Sequence, residues 1–357
     1  MAKNGGLHWS AIPARTLEIL RRGAAFPAHP LALDASRQFD RDSQRALARY
    51  YIDAGSGGLA VGVHATQFRI REVGLFRPVL ELAAETARAW TGRPLFMIAG
   101  AIGRTEHAVA EARTARALGY HAVLLGLSAM KGAGEDELVA HCAAVAREMP
   151  LIGFYLQTAV GGIPLSRRFW SRFAAIDNVI AIKVAPFDRY RTLDVAFGVV
   201  QAGAEERITL YTGNDDHIVL DLLAPLAVRI GNREVSLRFK GGLLGHWSVW
   251  TKAAVDLLAR LHEAIDRGAL PPDLLQLDSF VTDCNSVIFD VEHDFAGCIP
   301  GCHEVLRRQG LMATNLCLNP DEKLSPGQAQ GIDRIGATYP ELIDDAFVAA
   351  NLARWRA

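Results

Sequence analysis

Lys183 lies late in the apolar run Val179-Ile180-Ala181-Ile182-Lys183-Val184-Ala185. A continuous run of this kind reads as a buried strand, and an ammonium is costly to desolvate there. Desolvation lowers a lysine pKa and leaves free amine, which can attack a carbonyl and form a Schiff base. The alternative is a lysine just past the strand end with its head in water. Other polar residues follow the neighbouring apolar runs: Tyr155 after Gly153-Phe154, Asn214-Asp215-Asp216 after Tyr211-Thr212-Gly213, His64-Ala65-Thr66-Gln67, and His29-Pro30. A phenol one strand from an amine could exchange protons as a carbinolamine forms and collapses. Taken singly, Tyr155 also reads as a half-buried strand aromatic, and Asp215-Asp216 as a helix cap with a solvated neighbour. His64 and His29 titrate near neutrality and fit either acid-base work or hydrogen bonding within the mouth of the fold. Arg238 and Lys240 have the chemistry to hold a substrate carboxylate, with Gly241-Gly242 permitting close backbone approach, unless their face points toward solvated helices.

Positioning these groups falls to eight apolar runs that alternate with segments of helical periodicity. The strands are read as Ala24-Ala28, Gly58-Val63, Leu95-Gly100, His121-Gly126, Leu151-Tyr155, Val179-Lys183, Ile208-Gly213 and Glu234-Phe239. Eight such βα units predict an α/β chain closed as a TIM (β/α)8 barrel, whose chemistry lies at the carboxyl ends of the strands. Amphipathic stretches between them include Arg41-Ala54, Glu106-Leu118, Glu135-Arg147 and Leu165-Ile176, with Asp34 or Ser36, Thr105 and Ser166 as N-cap candidates. From about Leu270 the β-runs stop. Asp273-Val291, Cys302-Gln309, Pro326-Ile335 and Tyr339-Leu352 read as a helical extension used for packing or oligomer contact, with Pro271-Pro272 as the linker. The expected domains are 1–268, the barrel with its lead-in, and 269–357, the C-terminal helical subdomain.

The 357 residues, 50% hydrophobic and 22% charged, describe a globular chain with a large core. A formal net charge of -1 gives no field favouring nucleic acid or an anionic membrane. Cys142, Cys284, Cys298, Cys302 and Cys317 form an odd, scattered set, and Met1-Gly6 does not read as a secretory leader, so a reducing cytoplasm is expected. No apolar stretch approaches the ~20 residues that cross a bilayer. No dinucleotide site is expected, because Gly55-Ser56-Gly57-Gly58 enters a strand and does not open a helix. No metal or other cofactor is expected either: His293, Cys298, Cys302 and His303 match no common zinc spacing. Trp247 and Trp250 read as packing aromatics.

The ordered segments Gly57-Gly58-Leu59-Ala60-Val61-Gly62, Ile98-Ala99-Gly100-Ala101-Ile102-Gly103-Arg104-Thr105, Phe154-Tyr155, Ile182-Lys183 and Thr212-Gly213-Asn214-Asp215-Asp216 resemble the dihydrodipicolinate synthase / N-acetylneuraminate lyase superfamily. The resemblance runs from about Ala24 to Ala264, and the helical tail is similar to that family's C-terminal subdomain. It implies a homo-oligomeric barrel, usually a tetramer of paired dimers. Its strand-six lysine, here Lys183, condenses with pyruvate or another 2-oxo acid. Tyr155 matches the family's proton-relay tyrosine, and Gly213 matches the strand-seven glycine beside which substrate approaches.

This chain departs from that pattern where the partner substrate is held. The family's paired threonines after strand two, which hold the oxo acid's carboxylate, fall on His64 and Ala65. The arginine that binds the second substrate's carboxylate in the synthases falls on Val160, and the proline-tyrosine-tyrosine segment after strand four is replaced by Leu127-Ser128-Ala129-Met130-Lys131. An uncharged side chain cannot pair a buried carboxylate. The expectation is a Schiff-base lyase with Lys183, Tyr155 and His64 as catalytic residues and His29, Ala65, Thr66, Gly213, Asn214, Arg238 and Gly241 around the substrate, with lysine-pathway synthase activity disfavoured. The alternatives are a dehydratase of a 2-oxo-3-deoxy sugar acid and a noncatalytic small-molecule binding protein.

Overall fold

The structure, a computed structural model, describes residues 5–357. Residues 1–4 of the stretch read as lacking a leader lie outside them. The chain is an α/β TIM (β/α)8 barrel with a C-terminal helical extension. Its barrel strands are β1 (Ala25–Pro27), β2 (Ala60–Val61), β3 (Ile98–Ala101), β4 (Ala122–Leu125), β5 (Leu151–Leu156), β6 (Val179–Ala185), β7 (Thr209–Thr212) and, beyond a hairpin of β8 (Leu226–Ile230) and β9 (Arg233–Leu237), β10 (Phe239–Leu244). They hydrogen-bond in the order β1-β10-β7-β6-β5-β4-β3-β2, and a parallel bridge between Ala28 and Ala60 joins the first strand to the second. Each barrel strand is followed by a helix.

The eighth barrel strand is therefore Phe239–Leu244, not Glu234–Phe239. The expected segment instead supplies β9 of an antiparallel hairpin whose turn, Gly231-Asn232, takes the left-handed conformation at Gly231 (φ 59). That dipeptide suits the mirror-image turns favoured in two-residue hairpins. Capping fixes several helix starts. Ser166 accepts from Phe169 N at 3.0 Å, as its position predicts. The helix Arg41–Asp53 starts from Asp40, which accepts from Ser43 N at 3.0 Å; Asp34, an expected cap, accepts instead from Ser36 N and Gln38 N within its own loop, and Ser36 caps nothing. Thr105 is the first residue of its helix, and its cap is Arg104.

Packing divides the chain into two compact units. One comprises residues 5–23, 96–214 and 221–242 and contains β3 to β9. Its strands β5 and β6 are buried along almost their whole length, and the helices Arg167–Ala174 and Arg189–Gln201 pack against each other. Trp170, Phe169 and Phe173 of the first helix are buried in that packing.

The other unit comprises residues 24–95, 215–220 and 243–357. Here the tail is bound to the helix Arg41–Asp53. The Tyr50 hydroxyl donates to Asp344 Oδ2 at 2.6 Å and accepts from Thr251 N at 2.7 Å, and Trp355 Nε1 donates to Asp53 at 2.6 Å. The helix Thr251–Arg267 stops at left-handed Gly268, and residues beyond it form only helices and loops, beginning with Pro272–Ile288, where Pro271 is the cap and Pro272 the first helical residue. Among the described residues no helix is long and apolar enough to cross a membrane.

Candidate active site

Strand register decides which side chains accompany Lys183. In the β5–β6 ladder Phe154 lies opposite Lys183 and Tyr155 opposite Val184, and in the β6–β7 ladder Tyr211 lies opposite Lys183. Paired residues of parallel strands share a face, and successive residues alternate. The Lys183 face is turned away from the helices. Gly153 identifies the opposite one, because a Cβ there would come within 2.7 Å of Phe173 and 3.3 Å of Trp170 in the helix Arg167–Ala174. Lys183 is only 8% exposed, and its Nζ lies 4.5 Å from the centre of the Phe154 ring. An aromatic face is a favourable seat for a desolvated ammonium and a neutral neighbour for the free amine.

Tyr155, expected to exchange protons with the amine, has its side chain on the other side of the sheet. Its ring packs on Trp170 at 5.3 Å, and its hydroxyl donates to Leu165 O and accepts from Leu165 N, both at 3.2 Å. Burial pushes this phenol above its ordinary pKa, with the Leu165 contact partly offsetting it. On the lysine side of β5 the aromatic is Phe154, which has no proton to give.

Gly213 follows β7 and makes room for the lysine stem. A Cβ there would lie 2.6 Å from Lys183 Cε and 2.8 Å from Ala185 Cβ, closer than packed atoms tolerate. Asn214 is buried, and its amide is spent on the fold: Oδ1 accepts from Phe187 N at 3.1 Å, while Nδ2 donates to Thr192 Oγ1 at 3.2 Å and Asp221 Oδ2 at 2.9 Å. The side chain expected to hold substrate thus braces the chain around Gly213. Asp221, which sequence reasoning missed, is the centre of this brace and also accepts from Thr212 Oγ1 at 2.6 Å. Its signal is nonlocal, since a lone Asp in Ile218–Leu223 looks like any polar residue of a short helix.

At the carboxyl end of β1, His29 is fully buried. Its Nδ1 lies 3.0 Å from Pro30 O and 2.9 Å from Gln44 Nε2, its Nε2 has no hydrogen-bond partner, and burial lowers its pKa to about 4. His64 begins the turn His64–Thr66 after β2, half-buried with its ring against Phe68 at 5.7 Å. Ala65 is buried and offers no polar side-chain group. Thr66 was expected near substrate, but its hydroxyl donates to His29 O at 2.6 Å and accepts from Gly62 N at 2.9 Å, so it clamps the backbone. The next residue, Gln67, has a left-handed φ of 65, accepts from Leu318 N at 2.6 Å through Oε1, and leaves a buried Nε2 without a partner. Its backbone strain is invisible in the sequence. After β10, His246 is buried against Asn285, and burial lowers its pKa to about 4.

Arg238 and Lys240 do not reach the carboxyl ends of the strands. β10 begins at Phe239, so both sit at its amino end, where with Ile208 and Thr209 they line a cavity of about 460 Å³. The Arg238 guanidinium donates to Leu223 O at 2.6 Å. Gly241 lies mid-strand, opposite Tyr211. With the strand start moved from Glu234 to Phe239, Arg238 lies before the strand, whereas Gly241 pairs with Tyr211, the residue that also pairs with Lys183. In the tail, His303 Nδ1 lies 3.9 Å from Cys317 Sγ, all five cysteines are free and buried, and among the described residues no group of three or more His, Cys, Asp or Glu is arranged to hold a metal.

Comparison with known proteins points in one direction. A 4-hydroxy-tetrahydrodipicolinate synthase of Desulforudis audaxviator is 25% identical over 252 residues, 68% of this chain and 80% of that protein. N-acetylneuraminate lyase 2 of Escherichia coli O6:H1 is 22% identical over 323 residues, 89% of this chain and 93% of that protein. The crystal structure of dihydrodipicolinate synthase from Oceanobacillus iheyensis superimposes with a TM-score of 0.72 at 16% identity, covering 91% of this chain and 99% of that one. No family model matches.

Proposed function

We propose that the chain, a divergent member of the dihydrodipicolinate synthase / N-acetylneuraminate lyase superfamily by its similarity to those proteins, is a Schiff-base lyase or aldolase acting on pyruvate or another 2-oxo acid. The observation that carries this reading is one buried amine on β6, seated on Phe154, with Gly213 leaving space along its stem. The unprotonated Lys183 Nζ attacks the ketone carbon, the carbinolamine hydroxyl takes up a proton and leaves as water, and the resulting iminium accepts the electron pair of the bond between the α- and β-carbons, or of an α C–H bond, to form an enamine. Carbon-carbon cleavage or condensation follows from that electron sink.

Proton transfer cannot be assigned to Phe154, and Tyr155 is committed to Leu165. His64, whose imidazole follows the carboxyl end of β2, has the chemistry of a proton carrier. Val160, uncharged in the turn Thr158–Val160, supports a second substrate other than that of the lysine-pathway synthases. The family resemblance also supports a homo-oligomer, a dimer or tetramer.

The test is reduction with sodium borohydride in the presence of pyruvate and a panel of related 2-oxo acids, followed by peptide mass mapping. A reduced adduct on Lys183 is expected, and product analysis then distinguishes aldehyde release from the water loss of a dehydratase. A second reading, a binding protein without turnover, is favoured by the apolar Phe154 on the amine's face of β5. Absence of any adduct across the panel would favour that second reading over the first.

A further inference from the structure

Asp221 has a side chain with no solvent exposure, in the short helix Ile218–Leu223 after β7. Its two oxygens are divided between two tasks. Oδ1 pairs with the guanidinium of Arg189, the first residue of the helix that follows β6. Oδ2 accepts from Thr212 Oγ1 at 2.6 Å and from Asn214 Nδ2 at 2.9 Å. Thr212 and Asn214 are the residues on either side of Gly213. A single carboxylate oxygen thus grips both flanks of the glycine whose Cα borders the Lys183 stem. Asn214 extends the grip by accepting from Phe187 N, where the chain leaving β6 turns through a left-handed φ of 52 at a non-glycine residue.

The ends of the lysine strand and of the glycine strand are in this way tied to one buried charge. Burying a carboxylate is costly, and an apolar residue of similar volume commonly serves the fold as well or better. What the charge adds is placement. A neutral amine must present its lone pair within about 3–3.5 Å of the carbonyl carbon, and a displacement of about 1 Å can lower the rate by ~10². We infer that Asp221 is a positioning residue for the Lys183 amine, acting through Thr212, Gly213 and Asn214. This inference rests on the reading of Lys183 as the condensing nucleophile.

The test measures the rate of borohydride-trapped adduct formation with pyruvate, or with whichever 2-oxo acid labels the wild-type chain, as a function of oxo-acid concentration. Asp221→Ala is expected to lower the maximal trapping rate by at least about tenfold while the half-saturating concentration stays within about twofold, the signature of a misplaced amine rather than lost binding. Asp221→Asn, which keeps an acceptor oxygen between Thr212 and Asn214, is expected to recover part of that loss. In a Gly213→Ala background, Asp221→Ala should cost less than about twofold more, because both changes act on the same stem. Thr212→Val, which removes one arm with little change of shape, gives a smaller loss of the same kind and decides the matter if Asp221→Ala fails to fold. An unchanged maximal rate in Asp221→Ala, or in Thr212→Val where the first is unfolded, overturns the inference, as does full additivity with Gly213→Ala. A wild-type chain that gives no adduct on Lys183 overturns the nucleophile itself and this inference with it; a wild-type adduct with unaffected variants overturns only the positioning role.

Discussion

Polar groups at the carboxyl ends of β6 and β7 are spent on one another, whereas those at the carboxyl ends of β1 and β2 keep nitrogen atoms in reserve. In the first region Thr212, Asn214 and Arg189 all address Asp221, and what they surround is the stem of one amine. In the second, Thr66 is committed to backbone, but His29 Nε2 and Gln67 Nε2 are buried with no hydrogen-bond partner. A buried polar nitrogen left unpaired costs about 1–3 kcal/mol, so a fold that keeps two such groups in one neighbourhood holds hydrogen-bonding capacity that its own packing does not use. The first region closes on its own hydrogen bonds and the second has bonding capacity left over.

Removing the amine is the harshest way to break this contrast. Lys183→Ala is expected to abolish adduct formation with every 2-oxo acid that labels the wild-type chain while leaving the circular-dichroism spectrum and the melting transition close to normal. An adduct that persists on another lysine would move the nucleophile out of the braced region and leave Asp221 with a purely structural task.

Acid probes the second region through His29, and the rest of its unit through His246 and His303. Burial lowers the pKa values of His29, His246 and His303 to about 4, while Phe187–Arg189 and Thr212–Asn214 contain no histidine. These folded-state values lie below the unfolded value of about 6.5, so on acidification the unfolded chain takes up protons first. The stabilisation is whole above about pH 6.5, declines as pH falls, and is gone near the folded value of about 4. At pH 5 the expected loss is about 2 kcal/mol for each imidazole. Melting curves at pH 7 and pH 5 test this, with His29→Gln expected to flatten the slope by one proton's share. Equal melting temperatures at the two pH values would mean that these rings accept protons in the folded chain.

The same contrast explains what could be read in the sequence. β5 and β6 are continuous apolar runs buried on both faces, so their existence and most of their length are plain, as are the tail helices with their three- and four-residue periodicity. The end of the sheet is harder: Glu234–Phe239 alternates as a strand should, but Arg229 to Glu234 close a hairpin, and Gly241-Gly242, which lack side chains to pack, lie inside β10. The brace was hidden because Asp221 meets Thr212, Asn214 and Arg189 across separations of 7 to 32 residues, and no local pattern records such meetings. Phe154-Tyr155 shows the sharpest limit. The dipeptide is obvious, but which ring joins the lysine depends on a register that a one-residue slip would invert.

That register yields the mildest prediction and the one that separates the two faces of β5. If Tyr155 relayed protons to an iminium, Tyr155→Phe would slow turnover by roughly 10²–10⁴-fold. Its hydroxyl instead joins the donor and acceptor of Leu165 on the helix side of the sheet, where Trp170 covers the ring. Loss of that hydroxyl leaves the Leu165 amide and carbonyl without this partner and should destabilise the chain by about 1 kcal/mol, seen as a small fall in melting temperature. The adduct rate on Lys183 should stay within about twofold of wild type, because the aromatic surface beneath the amine is Phe154 and is untouched. A large loss of rate with no loss of stability would show that the phenol reaches the chemistry from the far face, and that β5 must slide by one residue when substrate binds.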